Sequence, residues 1–219
     1  MIECCVFDLD GTLLQTLDTI TYHLNNTLKS EGLSEITVKD TAAFIGNGAR
    51  KLVGRAVKVS GDVSAEKTER VLAAYNEAYN TDPFPLTYPY PGISELIDAL
   101  YSRGVKLAVV TNKPEITARK LVEHFFGEKF LYVYGGRPGA VLKPDPTDTL
   151  EVINNLGVSP CKCAFVGDTS VDIITGKNAK VALSVGVSWG FRNRAELTAC
   201  GADFVADSAE QLLLELEKI

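Results

Sequence analysis

The stretch Ile2-Glu3-Cys4-Cys5-Val6-Phe7-Asp8-Leu9-Asp10-Gly11-Thr12-Leu13 decides the fold. Its first six residues are a mostly apolar run of strand length. The run ends abruptly on carboxylates, a glycine and a hydroxyl. Short apolar runs bounded in this way fit strands buried on both faces. Runs of the same kind recur at residues 105–110, 130–134, 164–166 and 182–187. Between most of them lie stretches of helical periodicity, at 93–101, 117–126 and 146–156. Ile93, Leu96, Ile97 and Leu100 show the spacing well. Buried strands alternating with helices predict an α/β fold, a parallel sheet covered by helices on both faces with right-handed crossovers.

One region interrupts the alternation. Residues 17–28, 38–44, 49–59 and 65–79 all read as helices, and no strand is evident between Thr16 and Asp82. Pro83, Pro85, Pro89 and Pro91 then follow within a short span, where no helix can continue. This predicts an inserted α-helical cap at 16–82, with a prolyl linker returning to a core made of 1–15 and 83–219.

Composition narrows the function. Of 219 residues, 46% are hydrophobic and 23% charged, as in ordinary globular chains rather than disordered ones. At roughly 150 residues per domain the length suits one large domain or one domain with an insertion. The formal net charge is −6 and no Lys/Arg block is present. Nucleic acid and anionic membrane surfaces are therefore not expected partners. No apolar run nears the ~18 residues of a membrane span. The start of the chain lacks the basic region of a signal peptide. The odd, irregularly spaced cysteines Cys4, Cys5, Cys161, Cys163 and Cys200 read as reduced thiols, which predicts a cytoplasmic protein. Cys161-Lys162-Cys163 has no second Cys/His pair to complete a metal site. Monomer and homodimer are equally compatible with the sequence.

Open parallel sheets bind ligands at the carboxyl ends of their strands, so the residues after each strand carry the chemistry. They are Asp8 and Asp10, then Thr111-Asn112-Lys113, then Lys143-Pro144-Asp145, then Gly167-Asp168 with Asp172. Crowded carboxylates repel unless a cation lies among them. Hard oxygen ligands in a small acidic cluster suit Mg²⁺, which also accepts phosphate oxygens. A lysine and a threonine hydroxyl complete what phosphoryl transfer needs, positioning and charge. One carboxylate can then serve as nucleophile and a second, two residues on, as proton donor and acceptor.

These motifs resemble those of the haloacid dehalogenase superfamily phosphatases, and especially the phosphoglycolate phosphatase-like branch with a helical cap after the first strand. Asp8-Leu9-Asp10-Gly11-Thr12-Leu13 matches the first motif, Thr111-Asn112-Lys113 the second, Lys143 the third, and Gly167-Asp168 with Asp172 the fourth. The resemblance continues to Trp189-Gly190-Phe191 and spans nearly the whole chain. It implies a Rossmann-like core and a Mg²⁺-dependent phosphomonoesterase acting on a small phosphorylated metabolite, 2-phosphoglycolate being one candidate. Asp8 would be nucleophile and metal ligand. Asp10 would be general acid and base, with its backbone carbonyl on the metal. Thr111 and Lys143 would hold the phosphoryl group, with backbone N–H groups of Leu9, Asp10 and Asn112. Asp168 would bind the metal directly, and Asp172 directly or through water. Asp145 and Asp148 read as capping residues. Haloacid dehalogenases and phosphonate-cleaving members lack a carboxyl at the position of Asp10, which points to phosphate esters.

Substrate choice falls to the cap. Phe44-Ile45-Gly46-Asn47-Gly48-Ala49-Arg50 places a glycine turn at a helix start, which offers N–H groups and a positive dipole end to an anion. Gly46, Asn47, Gly48 and Arg50 are thus candidate substrate-binding residues. Lys51, Arg55 and Lys58 read as a solvated basic face. Two positions depart from the family pattern. Gln15 stands where many relatives have Asp, and Lys180 where they commonly have Gly. A phosphosugar mutase resembling β-phosphoglucomutase, which would use the same intermediate, is the alternative enzyme. A non-catalytic protein that binds a phosphorylated ligand is the alternative outside enzymes.

Overall fold

The computed structural model describes residues 1–218. Strand β1 (Cys4–Phe7) is followed by a two-residue strand β2 (Leu14–Gln15) and four helices, α1 (Leu17–Ser30), α2 (Val38–Phe44), α3 (Ala49–Val59) and α4 (Ala65–Thr81). The chain returns through β3 (Tyr88–Pro89). It continues as α5 (Ile93–Ser102), β4 (Lys106–Pro114), α6 (Glu115–Phe126), β5 (Phe130–Gly136), α7 (Thr147–Asn155), β6 (Cys163–Gly167), α8 (Ser170–Asn178), β7 (Leu183–Val187), α9 (Arg194–Ala199), β8 (Phe204–Ala206) and α10 (Ala209–Leu216).

The main sheet has the order β5-β4-β1-β6-β7-β8 and all its pairings are parallel. Every side chain of β1 is buried, because helices cover both faces. One face packs Phe7, Leu96, Ile97, Leu121 and Leu212. The other packs Val6, Val110, Val152, Ile153 and Phe165. Strand order reverses at β1, which pairs with β4 on one side and β6 on the other. That reversal opens a crevice beyond the strand ends, directly at Asp8.

Helices α1–α4 bury a cluster of their own, including Ile20, Leu24, Val53, Val57, Val71, Tyr75 and Tyr79. Local signals start two of these helices. Thr37 and Asp40 form a reciprocal capping box at α2, and the Ser64 hydroxyl accepts from Lys67 N at α4. Where the chain leaves for these helices and comes back, β2 and β3 pair antiparallel, with Gln15 opposite Tyr88. Gln15 donates from Nε2 to Asp18 at 2.8 Å.

Several elements differ from the sequence reading. Strand β4 runs to Pro114 rather than ending at 110, with a register shift against β5 beyond Val110. Strands β2, β3 and β8 have two or three residues each, too short for a periodicity to show. From sequence, Lys180 reads as a helix-end residue whose charge suits the helix dipole. It instead follows α8 at φ +55°, inside a Schellman motif in which Val181 N donates to Gly176 O and Lys180 N to Lys177 O. Glycine suits this position because it takes positive φ without a steric cost. Among the described residues no helix is long and apolar enough to cross a membrane.

Candidate active site

Asp8 leaves β1 at the centre of the crevice. Its Oδ1 accepts from Leu9 N at 2.7 Å and lies 3.0 Å from Lys143 Nζ. Asp168 follows β6 and is fully buried. It accepts from the Thr12 hydroxyl at 3.1 Å and from Phe191 N at 2.8 Å. Gly190 allows this approach, since a β-carbon there would stand 2.3 Å from Asp168 Cβ. Asp172 lies in the first turn of α8. One of its oxygens closes a capping box with Thr169 N and Oγ1, and the other accepts from Lys143 Nζ at 2.6 Å. The Thr169-x-x-Asp172 pattern was a legible signal that half of this carboxylate is committed to its own helix.

One oxygen from each of Asp8, Asp168 and Asp172 lies within 4.8 Å of the others. Burial is the main cause that pushes Asp8 up to about 7. Lys143 opposes the rise, and the Asp172 charge adds to it. Burial, then Asp172 and Asp8, raise Asp168 well above the usual carboxylate range. Burial alone would lower Lys143, but Asp172 and Asp8 outweigh it and hold the ammonium above its ordinary value. With Asp10 the crevice has four carboxylates against the ammonium groups of Lys143 and Lys113. With all four ionised, two negative charges are left, and a divalent cation that balanced them would favour that ionised state. The donor set is all oxygen and suits a hard cation. The residues present therefore fit a divalent metal.

Asn112 organises the neighbouring loop. Its Oδ1 accepts from Lys143 N at 2.8 Å, and its Nδ2 donates to Lys143 O at 3.1 Å and to Gly46 O at 3.0 Å. A strand-end side chain thus clamps the lysine backbone and reaches the loop before α3. The sequence reading had considered only its backbone N–H. Thr111 is buried beside Asp8 and lines the same cavity.

That cavity has a volume of about 50 Å³. Asp8, Asp10, Thr111, Asn112, Lys113 and Thr169 line it from the sheet side, and Ile20, Ile45, Gly46, Gly48, Leu52, Tyr75 and Tyr79 come from helices α1, α3 and α4 and the loop before α3. Phe191 joins from the loop after β7. Gly48 takes φ +86° and begins α3, as the glycine turn predicted.

Arg50 is not brought to this cavity. Helix α3 buries Leu52, Val53, Ala56 and Val57, and position 50 lies about 90° round the helix from the centre of that face. Arg50 pairs instead with Glu69 on the surface, its side chain 68% exposed. Arg55, expected on a solvated face, is half-buried. It donates to Phe44 O at 2.6 Å and to Asn47 Oδ1 at 2.9 Å. Asn47 therefore spends its side-chain oxygen on bracing the loop. Asp145 accepts from Thr147 N at 2.9 Å in a turn, as a capping residue would. Asp148 is not a cap. It holds Arg137 in a bidentate pair, both contacts 2.8 Å.

Lys113 stands in the second motif without an assigned role, and Tyr79 was not among the candidates. Lys113 Nζ lies 2.9 Å from Asp10 Oδ1 and contacts the Tyr79 hydroxyl, with its side chain 1% exposed. Burial lowers Lys113, and Asp10 opposes that. Reading β4 as ending at 110 hid the extended backbone that points Lys113 into the crevice.

A doubly wound parallel sheet with an acidic crevice at its reversal point defines an α/β enzyme. Residues 5–185 match the family model described as haloacid dehalogenase-like hydrolase, and the chain belongs to that family. A phosphoglycolate phosphatase of Vibrio vulnificus (strain YJ016) is 32% identical over 217 residues, covering 97% of this chain and 95% of that protein. One from Rhodospirillum rubrum is 35% identical over 218 residues, covering 97% and 90%. Among solved structures, a predicted phosphoglycolate phosphatase from Haemophilus somnus superposes with TM-score 0.91 at 26% identity, covering 98% and 97%. β-Phosphoglucomutase from Clostridium difficile shares the fold, with TM-score 0.77 at 24% identity, covering 100% and 96%.

Proposed function

We propose that this hydrolase is a phosphomonoesterase that cleaves a small phosphorylated metabolite through an aspartyl-phosphate on Asp8. The observation that carries the reading is the placement of Asp8. It is a buried carboxylate at the sheet's reversal point, 3.0 Å from Lys143, and Asp10 lines the same cavity. An Asp8 oxygen attacks phosphorus and the bond to the leaving oxygen breaks, while Asp10 gives that oxygen a proton. Water then attacks phosphorus, Asp10 takes its proton, and the bond to Asp8 breaks. Lys143, the Thr111 hydroxyl and backbone N–H groups of Leu9, Asp10 and Asn112 hold the phosphoryl oxygens. Asp8, Asp168, Asp172 and the Asp10 carbonyl would hold Mg²⁺. When bound, that ion would supply charge to the phosphoryl oxygens.

We take residues 16–82 as a cap whose contribution excludes water and limits the size of the leaving group. The small cavity favours a compact metabolite. The relatives' names make 2-phosphoglycolate the first substrate to test. The five cysteines are all free thiols, which supports a reducing compartment such as the cytoplasm. The test is phosphate release with Mg²⁺ across a panel of phosphorylated metabolites that includes 2-phosphoglycolate and hexose phosphates. Free phosphate from a small ester supports the reading. Transfer between hexose positions with little free phosphate would replace it with a mutase.

A further inference from the structure

We propose that Lys113 is the positioning residue for Asp10, and that Tyr79 of the helical insertion fixes Lys113 in that role. The inference rests on the reading of Asp10 as proton donor and acceptor. Lys113 Nζ donates to Asp10 Oδ1 at 2.9 Å and to Oδ2 at 3.1 Å, so it spans both oxygens. Its remaining donor goes to the Tyr79 hydroxyl. An ammonium has three protons, and here its hydrogen bonds all go to protein groups. Lys113 is therefore arranged to orient a carboxylate rather than to bind a phosphoryl oxygen.

The support is rigid. The Lys113 side chain is 1% exposed, and its ammonium also lies 4.3 Å from the centre of the Tyr79 ring. Tyr79 is itself 2% exposed and packs against His23 and Tyr75. The last turn of α4 is tied to α6, where Lys120 Nζ donates to Asn80 O at 2.6 Å. Asp10 is thus held by a lysine on β4 whose own orientation is set from α4. A proton donor fixed in this way needs no search among rotamers when the leaving oxygen develops charge. Loss of the support should affect most the substrates whose leaving group needs the proton.

The experiment measures first-turnover release of the leaving group with Mg²⁺ by the full-length protein. p-Nitrophenyl phosphate has a leaving group that departs readily as an anion, and phenyl phosphate has one that needs protonation. In Lys113→Met both rates fall, but phenol release falls further, so the ratio of the two rates widens about tenfold or more, with KM within about threefold. In Tyr79→Phe the ratio widens about threefold. If Lys113→Met fails to fold, Tyr79→Phe decides alone, because it removes only a hydroxyl. An equal fall on both substrates, or a change in KM alone, overturns the inference. If the wild-type protein releases neither phenol, the proposed function fails instead.

Discussion

Lys143 sets its ammonium 3.0 Å from the Asp8 carboxylate, with the two side chains 3% and 12% exposed. The same ammonium lies 2.6 Å from Asp172, so one cation separates the proposed nucleophile from a proposed metal ligand. Lys143→Met leaves both carboxylates buried without that partner, a loss that costs about 3–5 kcal/mol when nothing replaces the charge. We expect phosphate release to fall at least about 1,000-fold. The melting temperature should drop in EDTA and recover in part with Mg²⁺. A variant melting like the wild type in EDTA would contradict this.

Acidity should stabilise the metal-free protein. Asp8 and Asp168 have folded-state values raised by burial above those of the unfolded chain. Their contribution is full below the unfolded value near 4 and is lost as pH rises toward about 7 and beyond. His23 works oppositely. Burial holds its ring below the ordinary value, so its contribution is lost as pH falls below about 6.5. Between pH 6.5 and 8 the carboxylates dominate, and the melting temperature in EDTA should fall with rising pH. Saturating Mg²⁺ should flatten the slope. A rise across that window in EDTA would refute the account.

Arg55 and Arg50 should separate sharply. Arg55→Ala removes the two donors that brace Phe44 O and Asn47, so the loop facing the cavity loosens. Its kcat/KM on the best metabolite should fall about tenfold. Arg50→Ala breaks an exposed pair with Glu69 and should change kcat/KM less than about twofold. Steady-state kinetics of the two variants in parallel checks the contrast, and a reversed order would return Arg50 to the substrate site.

Lys180→Gly should stabilise the fold. A non-glycine residue in the left-handed region costs about 1–2 kcal/mol, partly offset by the chain entropy that glycine adds to the unfolded state. Lys180 sits there at φ +55°. The melting temperature should rise about 2–4 °C with kcat unchanged. Thermal unfolding checks this, and a decrease would show that the lysine side chain makes a compensating contact.

The legible residues were those whose backbone position alone decides their place. Asp8, Lys143, Asp168 and Asp172 follow strands of a parallel sheet, Thr111 lies in the second half of β4, and the topology gathers them at one edge. What escaped depends on side-chain direction. Arg50 and Arg55 both lie on α3, five residues apart, and only the turn of the helix decides which braces the loop. Lys113 was legible as part of the second motif, but its pairing with Asp10 was hidden by four residues of extended backbone beyond the expected end of β4. Asp148 resembled a cap in sequence, and its partner Arg137 lies eleven residues away in a loop that no periodicity describes.

The central claim is that Asp8 carries the phosphoryl group, and its most direct test is phosphate release by Asp8→Asn with saturating Mg²⁺, once its melting temperature shows a folded protein. Asparagine keeps the shape but is a far weaker nucleophile. The account predicts turnover below about one thousandth of the wild type on every substrate the wild type hydrolyses. Turnover within about tenfold of the wild type would contradict it.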